Sequence, residues 1–193
     1  MLILPGLGGS GPDHWQTHWE TLYPDFRRVQ QSDWEHPDLE DWLFSLDAAI
    51  AASPPDVVLV AHSLACLLVA HWVNEETMLR NVARSRESVV PLIGGALLVA
   101  PPDPEGASFP REASSFAPVP MIRLPFPSII VASRNDSYGS LRHAGRCARA
   151  WGSRLVDAGP VGHINSDSGL GDWPEGLELL TELVPDLPVI RRS

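Results

Sequence analysis

The 193-residue chain contains 44% hydrophobic and 20% charged residues, a composition typical of a globular protein with a sizeable core. Its 24 acidic and 14 basic residues give a formal charge of −10, which argues against nucleic acid or an anionic membrane surface as a partner. The apolar runs are too short to span a membrane, and no signal-peptide pattern opens the chain. We therefore expect one domain over residues 1–193, cytoplasmic, with Cys66 and Cys147 as free thiols.

The first part of the chain alternates short apolar runs with helical patterns. Leu2-Ile3-Leu4 is typical of a buried strand, and it leads directly into the glycine-rich loop 5–11. The run Val57-Val58-Leu59-Val60 predicts a strand that is covered on both faces. In order, the pattern predicts a strand at 2–4, a helix at 15–23, a weak strand at 26–29, a helix from 38 to the prolines at 54–55, a strand at 57–60 and a helix from 64 to about 74.

The second part continues the alternation. It predicts strands at 96–100, 129–132 and 154–156, and helices at 138–151 and 175–184. Alternating strands and helices predict an α/β fold, with three α/β/α layers around a mainly parallel sheet of about six strands. The segment 101–127 interrupts the rhythm with eight prolines, and it follows the end of a strand, where open sheets bind ligands. It is either a wall of the site or a surface connection stiffened by proline.

Ser63 lies between the strand at 57–60 and the following helix, in the sequence Ala61-His62-Ser63-Leu64-Ala65. This resembles a nucleophile elbow, the strained strand-to-helix turn that lifts a serine hydroxyl above a sheet. The usual pattern is G-x-S-x-G, and alanine replaces both glycines here, which adds strain without excluding the turn. A serine in this position is also a common helix N-cap, so the motif requires catalytic partners.

A serine hydroxyl needs a histidine to accept its proton and a carboxylate to orient that histidine. Asp136 follows the strand at 129–132, and His163 follows the strand at 154–156, in the chain order serine, acid, histidine of α/β-hydrolases. All three side chains are therefore expected at one edge of the sheet. Asp157 and Asp103 are the rival acids, and both are placed less favourably in the sequence.

The other histidines are less suitable as the general base. His62 is expected to point away from the reacting hydroxyl. His14 and His18 are four residues apart on a predicted helix, a spacing compatible with metal binding. Because no third ligand accompanies this pair, we expect an ordinary helix surface and no bound metal.

Two backbone N–H groups are candidates for an oxyanion hole. The amide of Leu64 follows the nucleophile, and the amide of Leu7 lies in the glycine-rich loop after the first strand. The same loop also suits a phosphate or a dinucleotide. However, it lacks the lysine of a P-loop, and no acidic residue follows at dinucleotide spacing, so no cofactor is expected.

Several segments in combination resemble a known family. They are PGLGGS at 5–10 with HWQ at 14–16 and WE at 19–20, the Ser63 turn, SRND at 133–136, and GHIN at 162–165 with SGLGDWPEG at 168–176. Over nearly the whole chain they resemble the small serine hydrolases related to retinoblastoma-binding protein 9. The resemblance implies a compact α/β-hydrolase core without a large lid, and a triad of Ser63, Asp136 and His163. Ala61 and Ala65 depart from it, since the family usually has glycine there.

These observations predict a serine hydrolase that cleaves small carboxylic esters, or amides or peptides, through an acyl-enzyme on Ser63. The alternative is a module of the same fold that binds a protein partner and has lost useful turnover. Among the seven tryptophans, Trp15, Trp19 and Trp42 are expected in the core, whereas Trp34 is a candidate for the mouth of the site.

Overall fold

The computed structural model describes residues 1–83 and 93–185. These residues contain a parallel sheet of six strands. The strands are β1 (Leu2–Leu4), β2 (Arg27–Arg28), β3 (Val57–His62), β4 (Ile93–Val99), β5 (Ser128–Ala132) and β6 (Arg154–Asp157). Their order across the sheet is β2-β1-β3-β4-β5-β6, and every pair of neighbours is parallel. β1 and β3 are adjacent, so the loops that follow them meet at the carboxyl edge of the sheet.

Helices cover both faces of this sheet, as the alternating pattern predicted. They are α1 (Trp15–Leu22), α2 (Leu39–Ala51), α3 (Leu64–Ala83), α4 (Leu141–Trp151) and α5 (Pro174–Leu183). One core cluster contains residues of α2, α3 and α4, and the other contains residues of α1 and α5. The fold is therefore a three-layer α/β/α arrangement.

β3 shows how the sequence specifies these layers. All its residues are buried; the Leu59 side chain belongs to the α2–α4 core cluster, whereas those of Val58 and Val60 belong to the α1–α5 cluster. Successive side chains of a strand point to opposite faces, so a run of β-branched residues supplies both cores. Trp15, Trp19 and Trp42 are buried in these cores, as predicted.

Several element boundaries differ from the predictions. β3 continues to His62 because Ala61 and His62 pair with β4, so Ser63 follows the strand directly. β4 begins earlier, at Ile93, and β2 is shorter than predicted. α3 extends to Ala83, since no glycine or proline interrupts residues 64–83. α4 begins after Ser140, whose hydroxyl accepts the N–H of His143 as an N-cap, rather than at residue 138.

Both cysteines are buried free thiols. Burial raises the pKa of Cys147 to about 12 and also raises that of Cys66, so neither is activated as a nucleophile. Within residues 1–83 and 93–185, no helix combines the length and apolarity needed to cross a membrane.

Candidate active site

Ser63 occupies a sharp turn between β3 and α3. Its φ angle is 54°, in the left-handed region that L-residues with side chains rarely adopt. Ala61 and Ala65 are fully buried on either side of it. The turn at Ser63 is therefore formed with alanine at the two positions where the elbow pattern has glycine, and its strain lies at the serine itself.

The structure brings Ser63, His163 and Asp136 together in a chain of hydrogen bonds. The Ser63 Oγ atom lies 2.7 Å from Nε2 of His163, and both carboxylate oxygens of Asp136 lie 2.9 Å from Nδ1. Because a carboxylate accepts, Nδ1 donates and Nε2 is left to accept the serine proton. The Asp136 side chain is only 1% exposed, and it also accepts the backbone N–H of Tyr138.

The rival acids lie elsewhere. Asp157 accepts the guanidinium of Arg134 at 2.8 Å and the backbone N–H of Gly159. Asp103 contacts His143 and Arg146, both at 3.2 Å. Neither carboxylate is a partner of the histidine beside Ser63.

The glycine-rich loop after β1 passes directly over the elbow. A Cβ atom on Gly6 would come within 2.9 Å of the Ser63 Cβ and 3.3 Å of the Leu64 nitrogen, so this position requires glycine. Leu7 and Leu64 both line the cleft in front of Ser63. In the described part of the chain, neither backbone N–H donates to another backbone group. Both residues therefore line the cleft beside the Ser63 hydroxyl with backbone N–H groups that have no backbone acceptor there.

The loop that carries His163 is fixed through its backbone. Ser133 Oγ accepts the N–H of Val161, and Asn135 Oδ1 accepts the N–H of Gly162. On the other side, the indole N–H of Trp15 donates to the carbonyl of Ile164 at 2.8 Å. Ile164 itself has a φ of 50°, so these bonds hold a strained turn.

His62 provides a further support that the sequence did not predict. Its Nε2–H donates to the carbonyl of His163 at 3.0 Å, and the two rings lie 5.1 Å apart. The side chain thus bonds the backbone of His163 rather than the Ser63 hydroxyl, and its ring packs against that of the candidate base. Burial lowers the pKa of His62 well below its usual value, so the ring remains neutral beside His163.

His14 was expected on a helix surface, which is wrong. It is the N-cap of α1, is 3% exposed and lines the cleft with Ser63. His18, by contrast, is half-buried and bonds Asp172 at 2.9 Å. The periodicity of the sequence could not distinguish these two positions, because the burial of His14 depends on tertiary packing, such as that against His62 of β3.

The cleft in front of Ser63 has a volume of about 240 Å³. Its walls come from the glycine-rich loop, the elbow, the His163 loop and the proline-rich segment, which contributes Pro102, Phe109 and Pro110. That segment is therefore a wall of the site. Trp34 does not line the cleft; its indole packs against Gly9 and Trp42 instead. No Asp, Glu, Lys or Arg is among the residues that line the cleft in the described ranges.

An open parallel sheet with a serine elbow at its carboxyl edge, facing a histidine, defines the α/β-hydrolase class. The sequence model of the serine hydrolase family matches residues 1–182, and the chain belongs to this family. No curated protein matches the sequence.

Solved structures that are similar to this chain have the same α/β-hydrolase fold. A YdeN-like hydrolase from Pectobacterium atrosepticum is similar at 33% identity, over 95% of this chain and 89% of that one, with a TM-score of 0.78. The ydeN gene product of B. subtilis shares the fold at 18% identity, over 96% and 98% of the chains, with a TM-score of 0.71. An esterase domain from Rhodothermus marinus also shares it, at 15% identity over 93% and 85%, with a TM-score of 0.61.

Proposed function

We propose that this serine hydrolase cleaves small carboxylic esters through an acyl-enzyme on Ser63. The observation that carries the proposal is the continuous contact from Ser63 Oγ through His163 to Asp136, at 2.7 and 2.9 Å, in an open cleft. Such a chain lets the histidine accept the serine proton while the carboxylate stabilises the imidazolium that forms.

The reaction follows from these roles. As Ser63 Oγ attacks the ester carbonyl carbon, its proton moves to Nε2 of His163. The carbon–oxygen bond to the alcohol then breaks, and the alcohol leaves with that proton. Water attacks the acyl-enzyme in the same way, which releases the carboxylic acid and restores Ser63.

The backbone N–H groups of Leu7 and Leu64 are the proposed oxyanion hole. Donors that are fixed before reaction stabilise the developing charge without reorganisation, and one such donor is worth about 10²- to 10³-fold in kcat. The close packing of Gly6 on the Ser63 turn supports this role, since the residue that precedes Leu7 lies directly against Ser63 and the Leu64 nitrogen. Amides and peptides pass through the same intermediate, and we extend the proposal to small members of both. We also propose that the chain is related to the small serine hydrolases that resemble retinoblastoma-binding protein 9.

Fluorophosphonate labelling tests the assignment. We expect the wild-type protein to be labelled on the peptide that contains Ser63, and S63A to lose both labelling and the hydrolysis of p-nitrophenyl butyrate. Ser45 is a matched control, because it lies on α2 away from the cleft, and S45A should be labelled like wild type. Unchanged labelling of S63A would contradict the assignment. Labelling without any ester turnover would instead favour a protein-binding module that retained the site.

A further inference from the structure

Arg28 is a cationic side chain of β2 that the proposed reaction does not use and that bonds the glycine-rich loop. It is 18% exposed, and its counter-ion Glu20, on α1, is 20% exposed. Its Nη1 donates to the carbonyls of Gly9 and Ser10, at 2.5 and 3.2 Å, and its Nη2 donates to Thr17 Oγ1 at 2.8 Å. Its Nε donates to the Glu20 carboxylate at 3.0 Å. The guanidinium therefore joins the loop to α1 through all three of its nitrogens.

The two carbonyls that Arg28 bonds lie in a stretch of left-handed backbone. The φ angle is 77° at Gly8, 74° at Gly9 and 51° at Ser10. Glycine adopts this region freely, whereas a residue with a side chain is strained there. Ser10 is held by side chains of α1, since its Oγ donates to Gln16 Oε1 at 2.7 Å and its carbonyl accepts from Thr17 Oγ1 at 2.8 Å. Contacts from outside the loop therefore maintain its conformation.

The left-handed stretch continues a β-turn that contains a proposed oxyanion donor. The backbone N–H of Gly9 donates to the carbonyl of Gly6 at 3.1 Å, which closes a turn over residues 6–9. Gly8, the third residue of the turn, has the positive φ that a type II turn requires. Leu7 is the second residue, so its N–H lies between the two ends of the turn. Gly6 packs on Ser63 and fixes one end, and the guanidinium bonds the carbonyl at the other end.

We propose that Arg28 is a positioning residue, which fixes the turn so that the Leu7 N–H is directed at the oxyanion that forms on the substrate. The inference rests on the proposed function, and Arg28 itself touches no reacting atom. An oxyanion donor is effective only when it is oriented before the reaction, because reorientation then costs no energy as charge develops. Glu20 orients the planar guanidinium in turn, through a pair of charge-assisted hydrogen bonds.

The neighbouring residue of β2 provides a matched control. Arg27 carries the same charge on the same strand, but it is exposed and donates to Ser53 Oγ at 3.3 Å. It is not among the residues that line the cleft. A substitution of Arg27 therefore changes the net charge by the same amount as a substitution of Arg28, without altering the hydrogen bonds to the loop.

Three variants separate the geometry of Arg28 from its charge. R28M removes the charge and every donor while keeping an unbranched side chain. R28K keeps the charge, but an ammonium group lacks the planar fork that reaches several acceptors at once. R27M is the control.

Two measurements report on the oxyanion hole rather than on folding. The first is kcat and KM for p-nitrophenyl butyrate, at a temperature where unfolding curves show each variant to be folded. The second is the Ki of propylboronic acid, which forms a tetrahedral adduct with a serine nucleophile and so resembles the intermediate. An interaction that is made only in the transition state lowers kcat and leaves KM unchanged, and its loss weakens transition-state analogues in parallel.

We expect R28M to lower kcat about 10- to 100-fold with KM within about twofold of wild type, and to raise the Ki of propylboronic acid by a similar factor. R28K should lower kcat at least about 3-fold in the same pattern, which would report lost geometry because the charge is retained. R27M should stay within about twofold of wild type in all three constants.

A folded R28M with wild-type kcat, or with a lower kcat and an unchanged Ki, would overturn the positioning role. If R28M does not fold, R28K decides, and wild-type values of kcat and Ki in R28K would overturn the role equally. A wild-type protein that hydrolyses no p-nitrophenyl ester would overturn the proposed function and this inference with it.

Discussion

Substitution of His62 by leucine is the most direct test of how the His163 loop is positioned. The side chain is buried, and its Nε2–H donates to the carbonyl of His163 at 3.0 Å. Leucine fills much of the same space but cannot donate. The carbonyl of the candidate base then loses this partner in a partly buried position.

The expected size of the effect follows from this contact. An unsatisfied buried acceptor costs about 1–3 kcal/mol, and we expect H62L to lower the free energy of unfolding by this amount. The next carbonyl, that of Ile164, remains bonded to Trp15, so the loop should shift rather than unfold. A misplacement of about 1 Å at reacting groups costs up to about 10²-fold, and we therefore expect kcat to fall about 10- to 100-fold with little change in KM.

The assay is steady-state hydrolysis of p-nitrophenyl butyrate by wild type, H62L and H62Q, together with denaturant unfolding of each. H62Q is the matched control, because its amide can restore the donor toward the His163 carbonyl. We expect it to recover at least half of the lost activation free energy. If H62L retains wild-type kcat, or if H62Q is as slow as H62L while equally stable, the hydrogen bond does not position His163.

Three further predictions concern the Asp136 carboxylate, the packing of Gly6 against Ser63 and the loss of stability at low pH. D136N should lower kcat about 10³- to 10⁴-fold because the histidine loses the partner that fixes its tautomer, whereas D157N should stay within about twofold in the same esterase assay. G6A should remain folded by circular dichroism yet lose activity at least about 10-fold, since its Cβ would come within 2.9 Å of that of Ser63; full activity would refute the close packing. The pKa of His14 falls from 6.5 in the unfolded chain to about 3 on folding. Below pH 6.5 the unfolded chain therefore binds a proton that the folded chain does not, and the free energy of unfolding decreases as the pH is lowered. Between pH 7 and pH 4, wild type should lose about 3 kcal/mol more stability than H14N in urea unfolding, and equal losses would contradict the buried neutral ring.

Much of the fold could be predicted from local pattern alone. The run 57–60 predicted β3 because β-branched residues without polar alternation suit a strand that is covered on both faces. The positions of Ser63, Asp136 and His163 after β3, β5 and β6 were sufficient to predict a shared edge, since parallel strands end on the same side of a sheet. The structure brings these three residues within hydrogen-bond distance. Their roles in catalysis remain a prediction for the labelling and kinetic experiments.

Element ends and supporting contacts could not be predicted in the same way. The last two residues of β3 are strand because they pair with β4, and such pairing depends on a partner far along the chain. His62 and the carbonyl of His163 are 101 residues apart, and Trp15 is 149 residues from the carbonyl that it holds. No periodicity within either segment carries information about these contacts.

The sequence by itself therefore determined the order of strands and helices along the chain and the two apolar faces of the sheet. It also indicated that Ser63, Asp136 and His163 lie at one edge of that sheet. Only the tertiary structure decided that His14 and His62 stand in the wall of the cleft as buried, neutral rings. The physical reason is that side-chain alternation and helix periodicity are local properties, whereas burial at the cleft arises where loops from β1, β3 and β6 converge. A histidine at the end of a strand or the start of a helix there has the same local sequence signature whether it faces solvent or the cleft.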